Sequence, residues 1–493
     1  HGLSMVTLYQ LRRYCAFALD LIRPLGSGLT PLSPAVAAWR TAIASEWNRV
    51  LDIASNRGDI DDDERWRVLA SLGAAAEIAR ESMYHNGLGK PVQIERDLVL
   101  EFFERTRDVC DDAIRRAKRD DGLYESYNVL HWAGASATVE RLQPMLEGQV
   151  AVLSSGTLAA HDAAELLDAL FESDLYREDQ RTFMLYPRVD LPGYMDRNIV
   201  PQDAIDSNEL LSRALNAPET ELIIRDAAGA ARFHADLDSH RALGDRLDRL
   251  AGRGGWTELV ASHQSAVHDA FERTFRHARF TGRSGRMHKY EGLGSVYWHM
   301  VSKLLLASQE CFFEARDAGA DQALLDRLRE HYFAVRSGLG FHKTPAEVGA
   351  VPHEPYSHTP WNAGAQQPGM TGQVKEGVIA RLGELGVRLR RGVIGFDPTL
   401  LDRDELLDAP GRLRLSGNTD RSIEVPSNAV ALSICGTPIV LRMGDTDRVV
   451  VVAEDGAETA IEGRSLTREW SRAVFARGGR VDSIHVEIAS DDQ

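Results

Sequence analysis

The sequence predicts a mainly helical protein, in which a long helical body is followed by a smaller C-terminal β-rich domain. Two observations lead to this fold class. Apolar residues recur at helical spacing through most of the first 387 residues, and short strand-like runs replace that pattern afterwards. We expect three segments: a helical N-terminal half (1–215), a second helical half with long loops (216–387) and a β-sandwich-like domain (388–493).

Helices in the N-terminal half are predicted from their apolar stripes. Leu8, Leu11, Cys15 and Ile22 fall on one face of the first helix. Loops are expected where Gly, Asn and Asp cluster. The same reasoning predicts three further helices, over 37–54, 61–80 and 98–117, and loops at 84–91 and 120–128.

The second helical half begins with a predicted hairpin, whose strands are 222–224 and 231–234. Between 338 and 372 lies a long loop rich in Gly, Pro and His. Long loops in compact domains are usually functional or disordered, and the aromatic residues of this one favour order and function. Helices are predicted over 256–279, 295–318, 321–337 and 373–386.

The C-terminal segment is predicted to be β-rich because its apolar residues form short runs instead of helical stripes. Asp455-Gly456 indicates a hairpin turn between the runs 449–453 and 458–462. The predicted strands are 413–415, 429–435, 438–443, 448–453 and 483–488.

Charge and composition limit the classes of partner. The chain has 73 acidic and 57 basic residues, a formal charge of −16. Nucleic acids and anionic membrane surfaces are bound by basic faces, so neither is an expected partner. No apolar run approaches the length of a membrane-spanning helix. We expect a small-molecule or oligosaccharide substrate instead.

The cysteines and the first residue suggest a location and further partners. The four cysteines are scattered along the chain and form no CxxC pair, which is typical of buried thiols in a reducing compartment and predicts a cytoplasmic protein. The chain begins at His1. Because this first residue is not Met, an upstream domain of the same protein is considered as a partner, and a second copy of the chain is the alternative partner.

The first candidate functional segment, 281–295, combines glycines with basic side chains directly before a predicted helix. Glycines let a ligand approach the backbone, and a helix N-terminus favours an anion. The segment therefore predicts a phosphate or carboxylate site, with a plain helix-entry loop as the alternative. The candidate anion-binding residues are Arg283, Arg286, His288 and Lys289.

The second segment, 341–362, carries histidines, a glutamate and aromatic residues. Aromatic rings stack on the apolar faces of sugars, while His, Glu and Asn bond hydroxyls. A histidine and glutamate metal site and a rigid structural loop are the alternatives; we assign no metal ligand. The candidate substrate-binding residues here are His342, His353, Tyr356, His358, Trp361 and Asn362.

The third segment, 364–376, is rich in small residues and glutamines. Uncharged amides such as Gln366, Gln367 and Gln373 recognise polyols through paired hydrogen bonds. Thr371 is expected to cap the following helix, and Lys375 and Glu376 lie near its start. Capping alone is the alternative explanation of this segment.

The order of elements, together with Tyr290-Glu291-Gly292 and the motif at 356–361, resembles the (α/α) toroid glycosidases and the inverting disaccharide phosphorylases. The resemblance is one of architecture and is best over 240–493. It implies a toroid-like helical body and a carbohydrate-active enzyme that cleaves or transfers a glycosidic bond, as a hydrolase or a phosphorylase. No cofactor is implied, although inorganic phosphate is the candidate co-substrate.

The chemistry of glycosidic cleavage requires a carboxylic acid that protonates the leaving oxygen, and either a second carboxylate or a bound phosphate. Glu291 and Glu354 are the candidate catalytic acids or bases, because each lies among aromatic, glycine or proline residues that exclude water. Tyr290 is a further candidate for substrate binding.

Two alternatives to this function remain open at the level of sequence. One is a non-catalytic helical scaffold or a fragment of a larger multidomain protein, and the other is a histidine and glutamate metal enzyme. A fragment should expose an apolar patch on its first helices. An enzyme should bring 281–295 and 341–373 together around one cavity that contains Glu291 or Glu354.

Overall fold

A computed structural model describes residues 2–58, 60–187, 193–275, 296–339, 343–344, 371–415 and 421–489. These residues are mainly helical, with a sheet-rich C-terminal region, so the predicted fold class is confirmed. The α-helices of the described residues are α1 (Met5–Ile22), α2 (Pro34–Arg57), α3 (Asp62–Asn86), α4 (Arg96–Arg116), α5 (Leu146–Leu153), α6 (Ala160–Glu172), α7 (Tyr194–Arg197), α8 (Gln202–Asp206), α9 (Glu209–Leu215), α10 (His240–Ala251), α11 (Thr257–Phe275), α12 (Trp298–Asp317), α13 (Gln322–Gly338), α14 (Thr371–Glu384) and α15 (Arg468–Ala476).

The strands are short in the first part of the chain and longer in the last. They are β1 (Gly2–Ser4), β2 (Leu29–Leu32), β3 (Val92–Glu95), β4 (Tyr127–Ala133), β5 (Ser136–Arg141), β6 (Tyr176–Arg177), β7 (Thr182–Phe183), β8 (Ile223–Arg225), β9 (Ala231–Phe233), β10 (Val387–Arg390), β11 (Val393–Phe396), β12 (Gly411–Arg414), β13 (Ser422–Val425), β14 (Ala429–Ile434), β15 (Thr437–Gly444), β16 (Arg448–Ala453), β17 (Glu458–Glu462) and β18 (Val481–Ala489).

Two compact units make up the chain. The larger unit contains the described residues up to Met184 and those from Val296 onwards, and the smaller contains the described residues from Leu185 to Phe275. The smaller unit is therefore an insertion into the sequence of the larger. The predicted division into three segments stays a prediction.

In the larger unit, α12 is the most deeply buried long helix of those described. It packs against α5, α13 and α14, and its buried residues include Val301, Leu304, Leu305 and Phe312. Its buried residues, most of them apolar, lie on several faces of the helix, as expected where other elements pack on more than one side. The amphipathic α1, in contrast, buries one stripe against α4 and exposes the other.

The smaller unit has its own hydrophobic core. The predicted hairpin is confirmed as β8 and β9, which pair in antiparallel register with Ile223 opposite Phe233. Phe233 contacts Phe271 of α11, with ring centroids 5.1 Å apart. Leu243 and Leu247 of α10 join the same core. An independent core is the usual mark of a unit that can be inserted into another fold.

The C-terminal region contains a five-stranded mixed sheet in the order β14-β15-β18-β16-β17. β15 and β18 are parallel, with Leu441 opposite Val486, and the other pairs are antiparallel. The predicted hairpin turn is confirmed, since Gly456 has φ +82° and donates its N–H to Ala453 O at 2.9 Å. The helix α15 packs on this sheet through Val474.

Some elements differ from the predictions. The expected loop at 120–128 ends in β4, which pairs with β5 around a turn at Gly134. The hairpin β10–β11 and the helix α15 are further additions. Among the described helices, none has the combined length and apolar character that crossing a bilayer requires.

Glycine is required where α14 turns into β10. Gly386 has φ +89°, and a Cβ there would lie 2.9 Å from Pro398 N. We expect Gly386→Ala to lower the free energy of unfolding by about 2–4 kcal/mol, because left-handed strain adds to backbone overlap. Urea titration followed by circular dichroism measures it.

The matched control is Gly392 in the β10–β11 turn, which has φ +77° and open space around its Cβ position. Gly392→Ala should cost only the conformational strain of about 1–2 kcal/mol. Equal losses in the two variants would contradict the proposed overlap with Pro398.

Candidate functional site

Most of the predicted site residues lie outside the described residues. Gln373 lies within α14, and nothing is described of its side chain. The convergence of the predicted segments on one cavity therefore stays a prediction. The other candidates, all outside the described ranges, are Arg283, Arg286, His288, Lys289, Tyr290, Glu291, His342, His353, Glu354, Tyr356, His358, Trp361, Asn362, Gln366 and Gln367.

The structure does describe the two helices that follow these segments. α12 begins at Trp298, three residues after the segment 281–295, and α14 begins at Thr371 inside the segment 364–376. The two helices pack against each other within the larger unit. The helices α12 and α14 are thus neighbours, although more than 50 residues separate them in the sequence. Each begins close to the end of one predicted segment.

A polar pair joins the first turn of α12 to the second turn of α14. His299 Nε2 on α12 lies 3.6 Å from Glu376 Oε2 on α14. Glu376 is only 4% exposed, and its other oxygen, Oε1, lies 3.3 Å from Lys375 Nζ. The ring of Tyr297 packs edge-on against the His299 ring, with centroids 5.8 Å apart. The pair is thus enclosed by protein on several sides.

Burial and charge set the protonation of His299. Burial lowers the pKa of this imidazole, and the nearby positive charge of Lys303 lowers it further, whereas Glu376 opposes both effects. The net direction is downward, which favours a neutral imidazole at neutral pH. A neutral imidazole has one N–H donor and one bare nitrogen acceptor, so the site offers hydrogen-bonding groups of both kinds.

Neither polar atom of the pair is satisfied within the described part of the chain. His299 Nε2 and Glu376 Oε2 are both buried and receive no hydrogen bond there. Their separation of 3.6 Å exceeds the usual N–H···O range. Since buried polar groups are almost always bonded, the two atoms have spare capacity for a ligand group or for each other.

At its other end, α14 is fixed by a buried polar network. Tyr332 OH donates to Glu384 Oε2 at 2.7 Å, and Gln309 Nε2 donates to Ala380 O at 2.7 Å. Gly383 permits this approach, because a Cβ there would overlap the amide of Gln309. The network thereby holds α12, α13 and α14 in one arrangement.

Arginines complete this network and balance its charge. Arg336 NH2 lies 2.9 Å from Glu384 Oε1 and 2.8 Å from Glu405 Oε1, and Arg381 pairs with both carboxylates. Burial raises the pKa of Glu405, but Arg381 and Arg336 outweigh it and lower that pKa. Burial and the charge of Glu384 raise the pKa of Tyr332, which therefore stays a hydroxyl donor.

A second histidine pair fixes α6 to α13. His331 Nε2 lies 2.7 Å from Asp168 Oδ1, and Arg327 pairs with the other oxygen. Burial lowers the pKa of His331, and Arg327 lowers it further. Because His331 and Arg327 both pair with Asp168, this cluster has a structural explanation.

One group of described residues has metal-like spacing. The ligand atoms of His161, Asp162 and Glu165 lie within 4.8 Å of one another, and all three residues are exposed. Glu165 Oε2 also lies 3.8 Å from Lys118 Nζ. Exposed acidic groups of this sort are common at helix starts, where they complement the helix dipole. We assign no metal to it.

The first helix exposes an apolar stripe. Tyr14, Phe17 and Leu21 occur at helical spacing on α1, with exposures of 57%, 61% and 61%. An exposed apolar face of this kind is expected of a surface that contacts another polypeptide. The exposed stripe agrees with the alternative of a scaffold or fragment. That alternative, the upstream domain and the homo-oligomer all stay predictions.

Residues 191–278 match the model of the GH149 phosphorylase insertion domain 2. The matched range nearly coincides with the smaller unit, which the fold itself shows to be an insertion. Among curated proteins, none matches the chain significantly.

The match covers fewer than one fifth of the chain and supports a relationship to glycoside phosphorylases. It agrees with the class of enzyme implied by the architectural resemblance.

Proposed function

We propose that the chain forms part of a carbohydrate-active enzyme that cleaves or transfers a glycosidic bond by phosphorolysis. The observation that carries the proposal is the match of residues 191–278 to the insertion domain of a phosphorylase. The order of a helical body and a C-terminal β-rich region supports it, since the toroid enzymes named above share that order. Inorganic phosphate is the co-substrate in this proposal.

The proposed reaction needs one carboxylic acid. An oxygen of hydrogen phosphate attacks the anomeric carbon while the bond from that carbon to the glycosidic oxygen breaks. Glu291 or Glu354 gives its proton to the leaving oxygen, and the proton lost by the phosphate restores the acid. The products are a sugar 1-phosphate and a shortened saccharide with a free hydroxyl.

The anion-binding role falls to the basic segment. Arg283, Arg286, His288 and Lys289 supply positive charge and N–H donors just before α12. Hydrogen phosphate, the attacking species, carries two negative charges, so an ionised second carboxylate beside it would be repelled. A hydrolase of the two-carboxylate type would need that second carboxylate instead.

Turnover with and without phosphate tests the proposal. We expect a panel of oligosaccharides, varied in sugar and linkage, to include a substrate that yields a sugar 1-phosphate only when phosphate is present. Release of free reducing sugar at the same rate without phosphate would show hydrolysis and overturn phosphorolysis. In the reverse direction, a sugar 1-phosphate and an acceptor should release inorganic phosphate.

A further inference from the structure

We propose that His299 Nε2 and Glu376 Oε2 together bind one hydroxyl group of the saccharide. The inference rests on the proposed function for the class of ligand. Its basis is the pair described above: two buried polar atoms, 3.6 Å apart, with no hydrogen bond from the described residues. Neither residue is among the predicted substrate-binding residues.

The geometry suits a single bridging oxygen atom. Because His299 Nε2 and Glu376 Oε2 are 3.6 Å apart, one oxygen atom can lie about 2.8 Å from both of them and form a hydrogen bond with each. The imidazole donates its N–H to that oxygen, and the carboxylate accepts the hydrogen from it. A hydroxyl is the common ligand group that accepts and donates at one atom, so the pair is complementary to it.

The surrounding charges favour a neutral group over an ion. Lys375 lies 3.3 Å from Glu376 Oε1, and Lys303 is close enough to lower the pKa of His299. These lysines supply the positive charge that a bound cation would bring, so a cation would be repelled. An anion would be repelled by the carboxylate oxygen Oε2 itself.

The position of the pair also connects it to the proposed chemistry. His299 is the second residue of α12, and Glu376 the sixth of α14. His299 therefore follows the proposed phosphate-binding segment 281–295 closely along the chain, and Glu376 is the last residue of the segment 364–376, which contains proposed sugar-binding residues. A hydroxyl held at this position would be fixed by two rigid helices, which gives better positioning than loops alone.

Binding of saccharides to the full chain tests the assignment. The probes are the oligosaccharides of the turnover panel, titrated by calorimetry into wild-type protein and the variants His299→Phe and Glu376→Gln. Loss of a hydrogen bond involving a charged group should weaken binding by about tenfold or more. The variant His299→Gln, which keeps an N–H donor near Nε2, should restore part of the affinity.

Two further measurements separate hydroxyl recognition from a structural role. The control Glu46→Gln changes a buried carboxylate of α2, a helix that carries neither residue of the pair, and should lower stability without changing affinity. The second measurement uses analogues of the bound saccharide that each lack one hydroxyl. The analogue that lacks the recognised hydroxyl should bind wild type and His299→Phe equally well, because the hydrogen bond is absent in both cases. A merely structural pair would not single out one hydroxyl in this way.

Unchanged affinity in both folded variants, or equal losses for every deoxy analogue, would overturn the hydroxyl assignment and leave phosphorolysis standing. A wild-type protein that neither binds nor converts any saccharide, with or without phosphate, would overturn the proposed function and this inference with it. The inference is supported if the affinity lost by the variants is the affinity contributed by one hydroxyl of the saccharide.

Discussion

Replacing the proposed acid, Glu291 or Glu354, with glutamine is expected to lower the turnover number for phosphorolysis by about 100- to 10,000-fold. Glutamine keeps the size and the hydrogen-bonding shape of the side chain but has no proton to give to the leaving oxygen. The chemistry requires one such acid, so we expect the large loss at one of the two positions. Initial rates at saturating oligosaccharide and phosphate measure it.

The leaving group offers a sharper version of this test. Fluoride leaves without protonation, so a glycosyl fluoride needs no general acid. The variant that loses the acid should therefore lose much less activity on the fluoride than on the natural linkage. A loss of equal size on both substrates would indicate that the residue binds or positions the sugar and is not the acid.

The control for this experiment is Glu330→Gln, which removes an exposed glutamate of α13. Its turnover should equal that of the wild type, because water and salt screen an exposed surface charge. If Glu291→Gln and Glu354→Gln both behave like this control, neither glutamate is the acid and the catalytic assignment is wrong.

Long helices with one clear apolar stripe were predictable from the sequence. The stripe of Leu8, Leu11, Cys15 and Ile22 predicts α1, which buries Cys15. Asp455-Gly456 predicted the turn between β16 and β17 because glycine adopts the positive φ that a tight turn requires. These signals are local, so neighbouring residues are enough to interpret them.

The elements that the sequence did not reveal have weaker local signals. The turn between β10 and β11 uses Arg391 at φ +48°, a conformation that an arginine rarely adopts. In α15, a nine-residue helix capped by the Thr467 side chain, the apolar stripe is too short to identify reliably. Tertiary packing, and not local preference, stabilises such elements.

The candidate site shows the same limit. His299 gave no signal of its own, since a single histidine on a predicted helix is usually structural. Its proximity to Glu376, 77 positions further along the chain, follows from the packing of α12 against α14. No spacing in the sequence encodes that distance. The useful sequence signal was the position of Glu376 at a helix start after a glycine-rich segment.

Glu384→Ala is expected to lower the free energy of unfolding of the larger unit by about 3–5 kcal/mol. Glu384 is 2% exposed and bonds Tyr332, Arg336 and Arg381. Its removal takes the acceptor from the buried Tyr332 hydroxyl and leaves two arginines with only Glu405 to share. Urea titration monitored by circular dichroism measures the change.

The matched control for Glu384 is Glu310→Ala on α12. Glu310 pairs with Arg13 at 2.7 Å, but its side chain is 27% exposed and that of Arg13 47%. Water replaces such a pair readily, so its loss should cost at most about 1 kcal/mol. Similar losses in the two variants would contradict the role assigned to burial. A large loss of stability that is confined to Glu384→Ala would mean that the buried network holds α14 in place. Substitutions within the network should then affect the pair of His299 and Glu376 only by moving that helix.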